Sequence, residues 1–164
     1  MRWNKTTLLW IAVAAIVVPL GFTRIRLALQ STEQGVETTV VRLLDALEDR
    51  QPRRIRKILT RDFVDEGSGY GRRDVVDASK FVLQPGTRYR ATLDEEGGLV
   101  FLSVTDEPVR SATVRVRCMI ESGSSGGEFR PWWHLEATLD LERHGGIWRV
   151  VCSRDVNHDR RPHR

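Results

Sequence analysis

His134 and Glu136 stand two residues apart in a stretch, His134 to Val151, where apolar and polar residues alternate. On a strand that spacing puts both side chains on one face. A carboxylate beside an imidazole can orient it as a general base. An exposed or interface strand residue is the plainer reading of His134, and it outweighs the base. His158, Asp159 and His163 could bind a metal in the tail, but their spacing matches no specific zinc pattern. No metal or cofactor is expected. Arg53, Arg54, Arg56 and Lys57 could contact lipid headgroups or phosphate, although such a run is more often a solvated helix face. The glycine-rich segment from Asp65 to Asp74, DEGSGYGRRD, lacks both the dinucleotide fingerprint and the phosphate-loop lysine pattern, and it reads as a turn.

These residues must be positioned by a small set of elements. Val36, Val40, Leu43, Leu44 and Leu47 recur at helical spacing after a cap at Ser31 or Thr32. That helix can continue directly from a membrane span upstream of it, with Gly35 as the weak point between the two. Gln51-Pro52 breaks it and starts a short second helix with Ile55, Ile58 and Leu59 on its apolar face. Phe63 and Val64 lead into the glycine loop, and a third helix spans roughly 72–83, with Val75, Val76, Ala78, Phe81 and Val82 as its apolar content. From Thr87 the period falls to two. Strands are expected at RYRATL, LVFLSV, SATVRVRCMI, Phe129–Glu142 and Ile147–Asp155, with Glu121–Glu128 as a mobile loop and a frayed tail from 157. Helices followed by strands argue for an α+β domain: three helices packed on a curved, mainly antiparallel sheet.

The closing hairpin fixes which face is inside. Pairing residues whose numbers sum to 289 puts Leu141 against Trp148, Leu139 against Val150 and Ala137 against Cys152 on one face. The inward set is then Val114, Val116, Cys118, Ile120, Leu135, Ala137, Leu139, Leu141, Trp148, Val150 and Cys152. Parity also turns Trp133 inward and Trp132 outward, with Arg115, Arg117 and Arg149. If the strand of Cys118 pairs with that of Leu135, the two thiols point inward from strands about 9.5 Å apart. A disulfide tolerates no more than roughly 7 Å. Free buried thiols are expected, without a nearby base for thiol catalysis.

Residues 6–22, TTLLWIAVAAIVVPLGF, carry no charge and would span about 26 Å as a helix. A signal peptide competes with a retained anchor, but Arg24 and Arg26 follow where a cleavage region is usually uncharged, and no A-x-A pattern is present. The reading is a single transmembrane helix in residues 1–30, N-inside, with the domain exported. Of the formal net charge of +4, residues 1–30 supply all, through Arg2, Lys5, Arg24 and Arg26; the other 22 basic residues balance 22 acidic ones. Nucleic-acid binding is disfavoured.

The succession of a long helix, a short basic helix, Asp62-Phe63, a glycine loop, a third helix and a bent sheet ending in Gly146-x-Trp148-Arg149-Val150-Val151 resembles the nuclear transport factor 2-like, or cystatin-like, α+β cone over about residues 31–156. That resemblance implies a pocket between the helices and the concave sheet face, lined here by Val116, Cys118, Leu135, Leu139, Trp148 and Val150. In enzymatic members the pocket carries an acid or base. The inward strand positions supply none, which leaves Asp62, Asp65, Tyr70 and Tyr89 as weak catalytic candidates. The resemblance also implies that the outer sheet face is a dimer or partner surface, where Trp132, Arg115, Arg117 and Arg149 would act, since tryptophan and arginine are enriched at such surfaces. The expected protein is therefore a membrane-anchored, non-enzymatic module that binds a protein partner or itself. The alternative is a small-molecule binder or an isomerase- or dehydratase-like enzyme using the cone.

Overall fold

Helix α1 (Thr32–Glu48) buries Val36, Val40 and Leu44 along one stripe, as its helical spacing requires. In the computed structural model, residues 31–83, 85–105, 110–124 and 126–159 are described, with side chains as far as Arg154. A Schellman turn ends α1. Arg50 takes a positive φ of 51°, its amide donates to the Leu47 carbonyl, and the Gln51 amide donates to that of Ala46. Pro52 then opens α2 (Pro52–Ile58), where its missing N–H is harmless. Ile55 is buried, while Arg53, Arg54, Arg56 and Lys57 are exposed. Helix α3 (Arg72–Val82) starts where Asp74 Oδ2 accepts from the Gly71 amide at 3.0 Å. It buries Val76, but Phe81, expected among its apolar contacts, is largely exposed.

The strands are β1 (Leu59–Asp65), β2 (Thr87–Leu93), β3 (Leu99–Thr105), β4 (Ser111–Ser124), β5 (Arg130–His144) and β6 (Ile147–Asp159). They form one six-stranded sheet ordered β1-β6-β5-β4-β2, with β3 also paired to β4. Every pair is antiparallel except β1 with β6. The α+β class and the three helices stand; β1 was not foreseen. Its irregular register, shifting between Leu59 and Val64, hides the two-residue period. Leu59 therefore reads as the end of a helix, and Phe63 as the start of a loop.

Three further segments differ from the sequence reading. Glu121 to Ser124 continue β4 and pair with Arg90 to Thr87, so the first half of the expected mobile loop is strand. Backbone pairing of β6 runs on to Asp159, opposite His134. In the hairpin, His144 pairs with Ile147 around a two-residue Gly145-Gly146 turn, with φ of 59° and 85°. Positive φ at both positions defines the type I′ turn that suits the twist of paired strands. Leu141 therefore faces Val150 rather than Trp148. The two-residue slip preserves parity, so the inward face is unchanged up to this point.

A bulge between Asp140 and Leu141 then reverses parity on β6. Cys152 pairs with Asp140, and Ser153 pairs with Leu139. The expected inward place of Cys152 is thus taken by Ser153, which is buried. The core consists of the apolar stripe of α1, Ile55, Leu59, Phe63 and Val76 packed on Val114, Val116, Leu139, Leu141, Trp148 and Val150. This domain begins at Thr32 as a separate compact unit. Among the described residues no helix is long and apolar enough to cross a membrane, and the run 6–22 lies outside them.

Candidate binding site

The concave side of the sheet holds a depression of about 150 Å³ between α1, α3 and strands β2, β4 and β5. Its wall is apolar: Leu47, Val75, Ala91, Ile120, Trp132 and Trp133 contribute, with Tyr89 at one side. Of the six expected pocket residues, Val116, Cys118, Leu139, Trp148 and Val150 are buried and Leu135 is partly buried. They fill the interior with side chains instead of lining this depression. Glu48 reaches the depression, but its Oε1 accepts from the Ala91 amide at 2.6 Å. A carboxylate held by a backbone donor is a fastening between α1 and β2.

The weak catalytic candidates do not converge. Asp62 is exposed on β1, and Tyr70 is exposed in the glycine loop. Tyr89 is buried, and its hydroxyl donates to the Val82 carbonyl at 3.2 Å, tying β2 to the end of α3. Asp65 organises the glycine loop. Its Oδ2 accepts from the Ser68 amide at 3.0 Å and the Ser68 hydroxyl at 2.5 Å, and its Oδ1 accepts from the Ser153 hydroxyl at 2.7 Å. The Asp65 carboxylate thus closes the loop on itself and locks it to β6, which accounts for the loop as the turn the sequence suggested.

His134 does not meet Glu136. Its Nε2 lies 3.1 Å from Asp94 Oδ2, in the connection after β2. Glu136 instead takes Arg117 at 3.2 Å and Arg115 at 3.7 Å. Arg154 donates to both oxygens of Asp140, which also accepts from the Thr113 hydroxyl at 2.6 Å. The outer face is a set of paired charges. Among the described residues, no group of three or more metal-ligating side chains is gathered, and His163 lies outside them.

The expected outer cluster of Trp132 with Arg115, Arg117 and Arg149 is divided. A second bulge, between Ile120 and Glu121, breaks the alternation of β5 against β4. Trp132 stands with its ring centroid 5.3 Å from that of Tyr89, at the mouth of the inner depression. Phe129 parts from the tryptophans and lies under Arg90 and Arg88, 4.2 and 5.0 Å from its ring centroid. Arg149, opposite Glu142, keeps the outward parity of Arg115 and Arg117, and it also lines a cleft built mainly from α1, α2 and β6. Of the four, Trp132 alone leaves the outer face.

Both cysteines are free. Burial, with the Asp94 carboxylate second, pushes the Cys118 thiol up from 9.0 to about 11. The Cys152 thiol is also raised, by burial first and then by Glu66, but it is only partly covered. At pH 8 a maleimide should therefore modify one thiol per native chain, Cys152, and the second only in denaturant. Stability should fall between pH 9 and about 11. In that window the unfolded thiol of Cys118 loses its proton while the folded one keeps it, and the effect is absent below pH 9. Labelling of both thiols in the native chain would show that Cys118 is not enclosed.

No protein-family model and no curated protein matches the chain. Solved structures do. Aln2 from a Streptomyces species superposes with a TM-score of 0.63 at 13% identity, over 80% of this chain and 94% of that one. ActVI-ORFA from Streptomyces coelicolor gives 0.60 at 15% identity, over 76% and 95%. A Nostoc punctiforme protein of unknown function with a cystatin-like fold gives 0.56 at 10% identity, over 79% and 93%. The domain has the cystatin-like fold. At such identities the likeness carries architecture and no chemistry. Within this cystatin-like domain the sequence reading missed the β3 margin and the cleft beside α2. The cleft is assembled from residues distant in the chain and leaves no local motif, whereas the strand of the margin was legible but its edge position was not.

Proposed function

We propose that the chain is a non-enzymatic assembly module, tethered to a membrane by residues 6–22, that pairs with a second copy of itself through the β3 margin and the adjoining outer sheet face. The observation that carries this reading is the margin itself. Val100, Leu102 and Val104 are 40–47% exposed on a strand whose far edge has no strand partner among the described residues. An exposed apolar edge is a template for pairing with another chain, which soluble monomers usually blunt with charge or proline. Val100 lies opposite Arg115 of the outer face, and Val104, past an irregularity at Leu102, lies opposite Ala112 of the inner one, so the margin borders both faces. Nearly all of the cone is occupied by side chains, which supports association over catalysis.

The test is native mass spectrometry of the full chain in detergent, with and without Val100→Lys and Leu102→Lys. The expected result is a dimer of unmodified mass that the double variant weakens by about tenfold or more. Because both positions are exposed, folding stability should change by no more than about 0.5 kcal/mol each. A wild-type monomer, or a dimer indifferent to the substitutions, would sink the proposal. A second reading is a small apolar ligand held in the depression between Tyr89, Trp132 and Trp133, favoured by its apolar wall. Its volume of about 150 Å³ is below the roughly 300–1,000 Å³ usual for ligand pockets. A monomer carrying a reproducible small adduct would favour that reading.

A further inference from the structure

The chain is nearly balanced in charge beyond residue 30, yet its cations are not spread evenly. A broad cleft of about 1000 Å³ opens beside α2, bounded by Arg53, Arg54, Arg56 and Lys57. Arg42 of α1, Arg61 of β1, Arg72 of α3 and Arg149 of β6 complete its wall. Asp45 is the one carboxylate lining it, and Arg54 is paired with Asp49 at 2.9 Å. The remaining cations of the wall have no ion-pair partner among the described residues. Arg149 Nε is buried and has no hydrogen-bond partner among the described residues. A second depression of about 500 Å³ shares Arg56 and Arg72, while its other cations, Arg73 and Lys80, are paired with Asp77 on the same wall. On the sheet's outer face, by contrast, Arg115, Arg117 and Arg154 are paired with carboxylates.

We propose that this cleft binds the phosphate of an anionic phospholipid. Like charges gathered around one concavity repel, and an anion placed among them relieves that repulsion while gaining several donors at once. Arginine suits phosphate because its planar fork makes paired hydrogen bonds. The floor selects among phosphate sources. Ile58 and the exposed Ile147, backed by the buried Leu59 and Trp148, give the cleft an apolar base that an inorganic anion does not use. A glycerophospholipid presents both a charged phosphate and an apolar body. The physiological setting rests on the tethered reading above; the cleft's chemistry does not.

The test titrates the full chain, in a neutral detergent, with short-chain phosphatidylglycerol, short-chain phosphatidylcholine and inorganic phosphate, followed by calorimetry. Arg56→Glu with Arg61→Glu is the disrupting variant, and Arg56→Gln with Arg61→Gln the milder one. Both residues are exposed, and circular dichroism checks that the fold survives. The expected result is saturable binding of phosphatidylglycerol, about tenfold or more tighter than phosphatidylcholine, and weaker as salt rises. The glutamate variant should lose about tenfold or more, and the glutamine variant should lie between. Equal binding of the two lipids, or binding indifferent to the variants, overturns the proposal. Inorganic phosphate displacing the lipid at equal concentration also overturns it, in favour of a free-anion site. Alkaline carbonate extraction reads the tether separately. A chain released by carbonate that still prefers phosphatidylglycerol sinks the tether alone, and a retained chain without that preference sinks this proposal alone.

Discussion

Replacing Gly35 with alanine should destabilise the domain by about 2–3 kcal/mol, although the position is helical. Helix propensity alone predicts the opposite sign, a gain of about 1 kcal/mol on removing a glycine. Contact decides. A Cβ at Gly35 would lie 2.5 Å from both Cδ1 and Nε1 of Trp148, distances that real Cβ atoms do not show. The Trp148 ring is 5% exposed and part of the core, so it has little room to withdraw. The strained backbone alternative is to lift the first turn of α1 off the sheet, which would uncover Val36. For a domain of this size such a loss lowers the midpoint of thermal unfolding by roughly 5–15 °C. Adding Trp148→Phe, which removes the ring edge nearest Gly35, should make the double variant more stable than the sum of the single effects. A Gly35→Ala protein as stable as wild type would show that α1 does not seat on Trp148.

Gly35 marks the limit of reading this chain from its sequence. In the sequence it is a weak point in a helix; in the fold it is the place where a helix backbone approaches an indole. Nothing within ten residues announces that, because Trp148 is more than a hundred residues away. Periodicity served well where packing is regular. The stripe of Val36, Val40 and Leu44 and the alternation from Ala112 to Ile120 are local consequences of burying one face, so they survive in the sequence. Bulges are different. One extra residue at Val151 and another near Trp132 reverse the side chains next to them, which carried Cys152 outward and brought Trp132 to the inner mouth.

The same distinction separates the candidate sites. Residues proposed one at a time for acid or base work, Asp62, Tyr70 and Tyr89, lie in three surroundings with no common substrate position. His134 found a carboxylate, but on the connection after β2 instead of on its own strand. The basic run of α2 was visible from the start. What was not visible is that Arg42, Arg61, Arg72 and Arg149 come from four other elements to share its cleft. A run of cations on one helix is readily solvated, whereas the same cations facing others across a concavity form an anion site. The difference is tertiary, so no local count of charges supplies it.

Replacing Leu141 with alanine should cost about 2–5 kcal/mol, comparable to the Gly35 effect but by the opposite mechanism, an unfilled space. Leu141 is 0% exposed. On β5 it stands between Ala112 on one side and Val150 on the other. Ala112 is too small to fill the gap, and Val150 is stiff about its first side-chain torsion. The cavity therefore persists, adding to the loss from burying less apolar surface. Leu102→Ala is the matched control: the same truncation on the β3 margin, at 47% exposure, should change stability by no more than about 0.5 kcal/mol. Urea unfolding of the two variants measures the contrast directly. The pair also tests the hairpin register. Sliding β6 by two residues exchanges Trp148 for Val150 opposite Leu141 and leaves both strands' faces unchanged. A slide of one residue would turn the β6 side chains over and leave Leu141, still held inward by β4, without an apolar neighbour on that side. A small effect at Leu141 would thus reject the inward face itself, and with it the side of the sheet on which the helices pack.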